Sequence, residues 1–163
     1  MFCSISDFLY VWQYEADATL KLLHLLTDDS LQQRVSPDGR TLGRLANHLI
    51  ETLTEMPHRV GLPVAEEQVA HDKASDIVAS YERVNKNFVE ALKQSWKDED
   101  LKKEANMYGE VWKNGSTLFI LVTHQAHHRG QMTVLMRRAG LKVIGVYGPA
   151  KEEWLQMNME PMV

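Results

Sequence analysis

Histidines carry most of the chemistry in this chain. Seven occur among 163 residues, and three of them fall in His124-Gln125-Ala126-His127-His128-Arg129-Gly130-Gln131. On a helix, residues four apart lie one turn apart on the same face. His124 and His128 then aim at one point, and two imidazoles at this spacing can chelate a single metal ion. Neutral imidazole suits Zn, Ni, Cu and Fe. A third ligand must come from elsewhere. His48 lies in Leu45-Ala46-Asn47-His48-Leu49, where the flanking leucines turn it inward. An inward histidine facing an inward pair on another helix is an arrangement that bundle metal sites use. Three imidazoles leave coordination positions open, as catalytic sites do. The residues alone also admit a plainer reading, a satisfied core histidine at 48 and a merely His-rich helix.

Neighbouring residues have readings of their own. His127 is about 100° round the helix from His128, toward a neighbouring helix or solvent, with a fourth-ligand role as the alternative. Gln131 returns to the His124 face and could hydrogen-bond an imidazole. Arg129 pairs with a carboxylate or is a surface charge. Gly130 would let a facing helix approach, offsetting its cost of about 1 kcal/mol relative to Ala. Glu55, seven residues after His48, shares its face; it or Glu51 could act as a base. Trp12, Tyr14, Met132 and Met136 are core or the wall of an apolar pocket. His24 is a surface partner of a helix C-terminus, and His58 and His71 carry no usable pattern. Two rival metal motifs fail. The only Glu-x-x-His, Glu55-Met56-Pro57-His58, contains a proline, and no His-Glu-x-x-His occurs.

The elements that must position these residues show a period near 3.6. Phe8, Trp12, Ala16, Leu23 and Leu26 predict a first helix from Ile5 to about Thr27. A turn is expected at Ser36-Pro37-Asp38-Gly39. Leu42, Leu45, Leu49 and Leu53 predict a second helix from Thr41, which Pro57 should end or kink near Glu55. Residues 61–69 read as a crossing loop. Ile77, Tyr81, Val84, Phe88 and Leu92 predict a third helix from about Asp72, its expected cap, to Trp96. Residues 101–115 read equally as a hairpin or an irregular loop, with a turn signal at Asn114-Gly115. A fourth helix should start near Ser116, as cap, and stop before Gly140. Pro149, Glu152 and Glu153 suit the start of a short last helix reaching about Asn158. Four long helices with little strand pattern predict an all-α, four-helix bundle in one domain spanning 1–163.

Composition narrows the function classes. The chain is 44% hydrophobic and 25% charged, as folded globular proteins are. A formal net charge of -4 disfavours nucleic acid as a partner. The longest apolar run, Leu118 to Val122, is too short to cross a bilayer. The start lacks the pattern of a secretory signal, so a cytoplasmic protein with no membrane partner is expected. Cys3 is the only cysteine, which rules out an intramolecular disulfide and a multi-cysteine metal site.

The stretch His124-x-x-x-His128-Arg129-Gly130-Gln131 with an inward His48 resembles the DinB-like (DinB/YfiT) family of metal-dependent enzymes. Thr41-Leu42-Gly43-Arg44-Leu45-Ala46-Asn47-His48-Leu49 and Val146-Tyr147-Gly148-Pro149 add to the match, which spans essentially the whole chain. The family's name comes from a DNA-damage-inducible protein. The resemblance implies up-down-down-up connectivity, a divalent ion (Ni or Zn) on His48, His124 and His128, and a homodimer. It also implies a small-molecule substrate and a low-molecular-weight thiol as cosubstrate, in transfer or isomerisation; hydrolysis by activated water is the variant. The alternatives are a non-catalytic metal- or ligand-binding stress-response protein and a structural bundle without metal. No catalytic residue is assigned.

Overall fold

The computed structural model describes residues 2–161. The first helix, α1 (Ile5–Leu23), begins with a reciprocal cap: Ser4 Oγ accepts the Asp7 amide at 3.0 Å and the Asp7 carboxylate accepts the Ser4 amide at 3.0 Å. It stops four residues short of Thr27. The chain there makes a 3₁₀ turn at Asp29–Gln32 instead, held by mutual bonds between Thr27 and Ser30. The expected reversal before the second helix is present, with the Gly39 amide on the Ser36 carbonyl at 3.0 Å.

α2 (Leu42–Arg59) is capped by Thr41, whose hydroxyl accepts the Arg44 amide. Pro57 does not break it near Glu55. A proline removes one N–H bond, but here it sits in the last turn, buried in the core. The helix runs four residues past Glu55, to Arg59, and the chain turns at Gly61, where φ is +82°. Gly61 and Leu62 return their amides to His58 and Pro57 in a Schellman closure. Glu55 therefore stays helical, on the face set by His48.

α3 (Ala74–Ser95) is not capped by Asp72. Its N-cap is Lys73, and the Ala74 amide is taken by the Asp28 carboxylate at 2.8 Å, from the far side of the α1–α2 connection. Residues 101–115 contain a hairpin. β1 (Glu104–Met107) pairs antiparallel with β2 (Glu110–Lys113), Met107 opposite Glu110. Its reversal is at Tyr108-Gly109, with φ of 58° and 91°, not at Asn114-Gly115. Those two residues open α4 (Asn114–Arg138), so Ser116 lies within its first turn rather than capping it. Gly115 eases a close approach there, where a Cβ would stand 3.2 Å from the Leu101 carbonyl oxygen. α4 ends as expected at Gly140, again in a Schellman closure. The short last helix, α5 (Lys151–Trp154), continues as a 3₁₀ turn to Met157.

The long helices close into a bundle. α2 packs against α3 and α4, and α1 packs against the same two. The core draws on all four: Phe8 and Trp12 against Phe88, then Leu45, Leu49, Leu53, Tyr81, Leu118, Leu121 and Met132. Burying each such side chain stabilises the fold by about 1.5–3 kcal/mol. This packing sets α2 beside α4, which brings His48 to the histidine-rich stretch. Among the described residues no helix is long and apolar enough to cross a membrane.

Candidate metal centre

His48 comes from the middle of α2, and His124 and His128 from successive turns of α4. The three rings form a triangle with centroids 4.5–5.0 Å apart. Nε2 of His48 and Nε2 of His124 are 3.0 Å apart. One ring nitrogen from each histidine lies within 4.8 Å of the others. The sequence thus brought together the residues it singled out.

Two of the three rings, His128 and His48, are oriented from behind. His128 Nδ1 lies 2.7 Å from Gln131 Oε1, so that nitrogen carries the proton and Nε2 keeps its lone pair. The Gln131 amide group in turn reaches His127 Nε2 at 3.1 Å. His127 is exposed and acts through Gln131, not as a member of the cluster. His48 Nδ1 lies 3.5 Å from the Glu51 carboxylate, which Arg44 holds at 2.7 Å.

All three imidazoles have pKa values below the ordinary histidine value. Burial is the first cause in each, opposed at His48 by Glu51 and at His128 by Gln131. At His124 burial and then the charges of its histidine neighbours bring the value down to about 4. At neutral pH the cluster is three uncharged donors, the protonation state in which imidazole binds metals.

The cluster opens on a cleft of about 600 Å³ lined by both Nε2-facing histidines, Glu55, Met56, Tyr108, Trp112 and Ile120. Glu55 is not free to act as a base on the cluster. It pairs with Arg59 and accepts the Tyr108 hydroxyl at 2.6 Å, while the Arg59 guanidinium lies over the Tyr108 ring. The hairpin tip is thereby fastened across α2. No motif announced this contact; a tyrosine in the left-handed region before a glycine is its only local signal.

Other expectations are met in part. Trp12, Met132 and Met136 are closed core, and Tyr14 is exposed and bonded to the Val146 carbonyl, so none lines the cleft. No helix faces Gly130 closely: a Cβ there would meet nothing within 4 Å. The close approach is at Gly43, where a Cβ would stand 3.1 Å from that of Leu31. Arg129 is neither a surface charge nor part of the cluster. It is buried against Glu15, bonds the Glu15 carbonyl at 2.8 Å and Thr19 Oγ1 at 2.9 Å, and meets the Tyr147 hydroxyl. His24 is exposed at the α1 C-cap, 4.0 Å from Glu82. His58 is exposed with Nδ1 on the Val64 carbonyl, and His71 lies against Asn47; neither reaches the cluster.

A helical bundle carrying three histidines on two facing helices is the class of protein that the fold and cluster define. The comparisons make it specific. The DinB family model matches residues 1–160, and the chain belongs to that family. It is 45% identical to the uncharacterized protein YrdA of Bacillus subtilis (strain 168) over 163 residues, covering 98% of each chain. The crystal structure of a DinB-like protein from Bacillus cereus ATCC 10987 superposes with a TM-score of 0.87 at 43% identity, covering 90% of this chain and 100% of that one. A second DinB-like protein, YjoA of Bacillus subtilis, shares the fold at 15% identity, with a TM-score of 0.70 over 88% of this chain and 98% of that one.

Proposed function

We propose that His48, His124 and His128 hold one divalent metal ion and that the chain is a metal-dependent enzyme acting on a small molecule in the adjoining cleft. The observation that carries this reading is the 3.0 Å separation of the His48 and His124 Nε2 atoms. Two nitrogens each about 2.0–2.1 Å from one ion stand roughly 2.9–3.4 Å apart for octahedral to tetrahedral angles. The donors are neutral, and the second nitrogens of His48 and His128 are engaged by Glu51 and Gln131, as those of ligand imidazoles usually are. All-imidazole donors suit Ni and Zn alike.

A bound ion supplies Lewis acidity, lowering the pKa of a coordinated thiol or water. The chain's own residues do the rest. Gln131 and Glu51 hold the rings, and Met56, Ile120, Tyr108 and Trp112 give the cleft apolar and aromatic walls that exclude water from a ligand. A thiol-dependent transfer is the leading reaction class, with metal-assisted hydrolysis beside it. Family membership is the support for the thiol.

One observation favours a second reading, binding without turnover. Both carboxylates nearest the cluster are engaged, Glu51 by Arg44 and Glu55 by Arg59 and Tyr108. Metal analysis of protein purified without a tag is expected to find about one ion per chain, and far less in His124→Ala. An equal metal content in the two would end the metal reading. A screen of low-molecular-weight thiols against electrophiles separates the enzyme from the binder. Turnover lost in His48→Ala supports the enzyme; turnover that survives removes the cluster from the reaction.

A further inference from the structure

Gln125 lies between two histidine turns of α4, about a quarter-turn round the helix from their shared face, with no exposed surface. Its Nε2 donates to the Leu49 carbonyl of α2 at 3.1 Å. Its Oε1 accepts the Tyr81 hydroxyl of α3 at 3.3 Å and lies 3.2 Å from Thr19 Oγ1 of α1. One side chain therefore touches all three other long helices. The Leu49 carbonyl already accepts the Thr52 hydroxyl at 3.1 Å, so it does not need Gln125 for satisfaction.

The bond to Leu49 is in step with the cluster. His48 meets His124 across 76 residues, and Leu49 meets Gln125 across the same 76. The polar contact joins the next residue on each helix. A one-residue slip of α4 turns its face by about 100° and moves it about 1.5 Å along its axis, which breaks both contacts together. The buried apolar side chains of α2 and α4 are leucines and methionines with Ala46 and Ile50, and apolar attraction is non-directional. A hydrogen bond requires its own distance and angle. Among the described residues, Gln125 makes the one hydrogen bond between α2 and α4 besides the His48–His124 contact itself.

We infer that Gln125 is the positioning residue of the three-histidine cluster, fixing the register that brings His48 to His124. In its binding arm this rests on the metal reading above; in its geometric arm it does not. Gln125→Met keeps length and burial and removes the bond to Leu49. Gln125→Leu removes donor and acceptor together at similar volume with a branched side chain. Thr19→Val and Tyr81→Phe remove the other contacts and leave the Leu49 bond intact.

In metal-free protein, NMR contacts between the His48 and His124 rings, 5.0 Å apart in the wild type, are the first readout. They are expected to persist in Thr19→Val and Tyr81→Phe, even where those variants melt at lower temperature, and to fall several-fold in both Gln125 variants. In a zinc titration Gln125→Met should bind roughly 10–100-fold more weakly, with Thr19→Val and Tyr81→Phe near wild type. Ring contacts retained in the Gln125 variants, or lost equally in all four, would overturn the inference and leave Gln125 as packing. Wild-type protein that binds no zinc would remove the metal reading, and the ring contacts would still decide this one.

Discussion

α4 carries two polar clusters within a few residues of each other, and they are built in opposite ways. Arg129 belongs to one that is closed. Its guanidinium meets Glu15, Thr19 and Tyr147, and the Tyr147 hydroxyl returns to Glu15 at 2.8 Å. The charges there are spent on each other, deep in the bundle. His128, the residue before it, belongs to one that is open. Its neighbours engage the outer nitrogens of His48 and His128, and the His48 and His124 Nε2 atoms meet beside a cleft. A cluster whose opposite charges answer one another internally, here with only Arg129 Nε left without a partner among its polar atoms, holds a fold together. One whose lone pairs converge unanswered is arranged for something that arrives.

That contrast can be broken from either side. The largest effect is expected in the closed cluster. Glu15→Ala leaves a buried guanidinium without its counter-charge and should destabilise the protein by about 3–5 kcal/mol, read by urea unfolding. A loss below 1 kcal/mol would mean the pair contributes little beyond packing. In the open cluster the effects should appear in ligand binding first. Gln131→Ala should weaken divalent-metal binding roughly 10–100-fold by freeing the His128 ring, while barely moving the urea midpoint of metal-free protein. If binding were unchanged, Gln131 would be a surface residue only.

The smallest effect is a pH slope. Above about pH 6.5, the unperturbed histidine value, folded and unfolded imidazoles are both neutral and add no slope. Below it the unfolded chain takes up protons that the three buried rings refuse, down to about 4 for His124. Stability of the metal-free protein should therefore fall as pH drops from about 6.5 toward 4. His124→Ala should flatten the slope, measured as melting temperature against pH. A slope of the opposite sign would contradict the burial of these rings.

What the sequence made legible follows from range. His124, His128 and Gln131 are related by helix spacing alone, and His48 is placed by the leucines on either side of it. These are local patterns, and the structure keeps them. The Glu15–Arg129 pair joins residues 114 apart, and nothing in either segment points to the other. The Asp28 cap of α3 and the Tyr108–Glu55 contact are distant in the same sense. Pro57 misled for a different reason. Its cost depends on how much helix follows, and here the Schellman turn at Gly61 comes within one turn. At 101–115 the hairpin hangs on two left-handed residues, only one of which is a glycine.

The hairpin tip is fastened to α2 by a hydroxyl on a carboxylate and a guanidinium over a ring, both near the mouth of the cleft. A two-stranded hairpin has little stability of its own. A ligand held against the histidines would be expected to leave through a local opening of this hairpin that keeps the four helices packed. Tyr108→Phe should change the exchange rates of that ligand more than its equilibrium affinity, making this tyrosine a kinetic rather than a thermodynamic control.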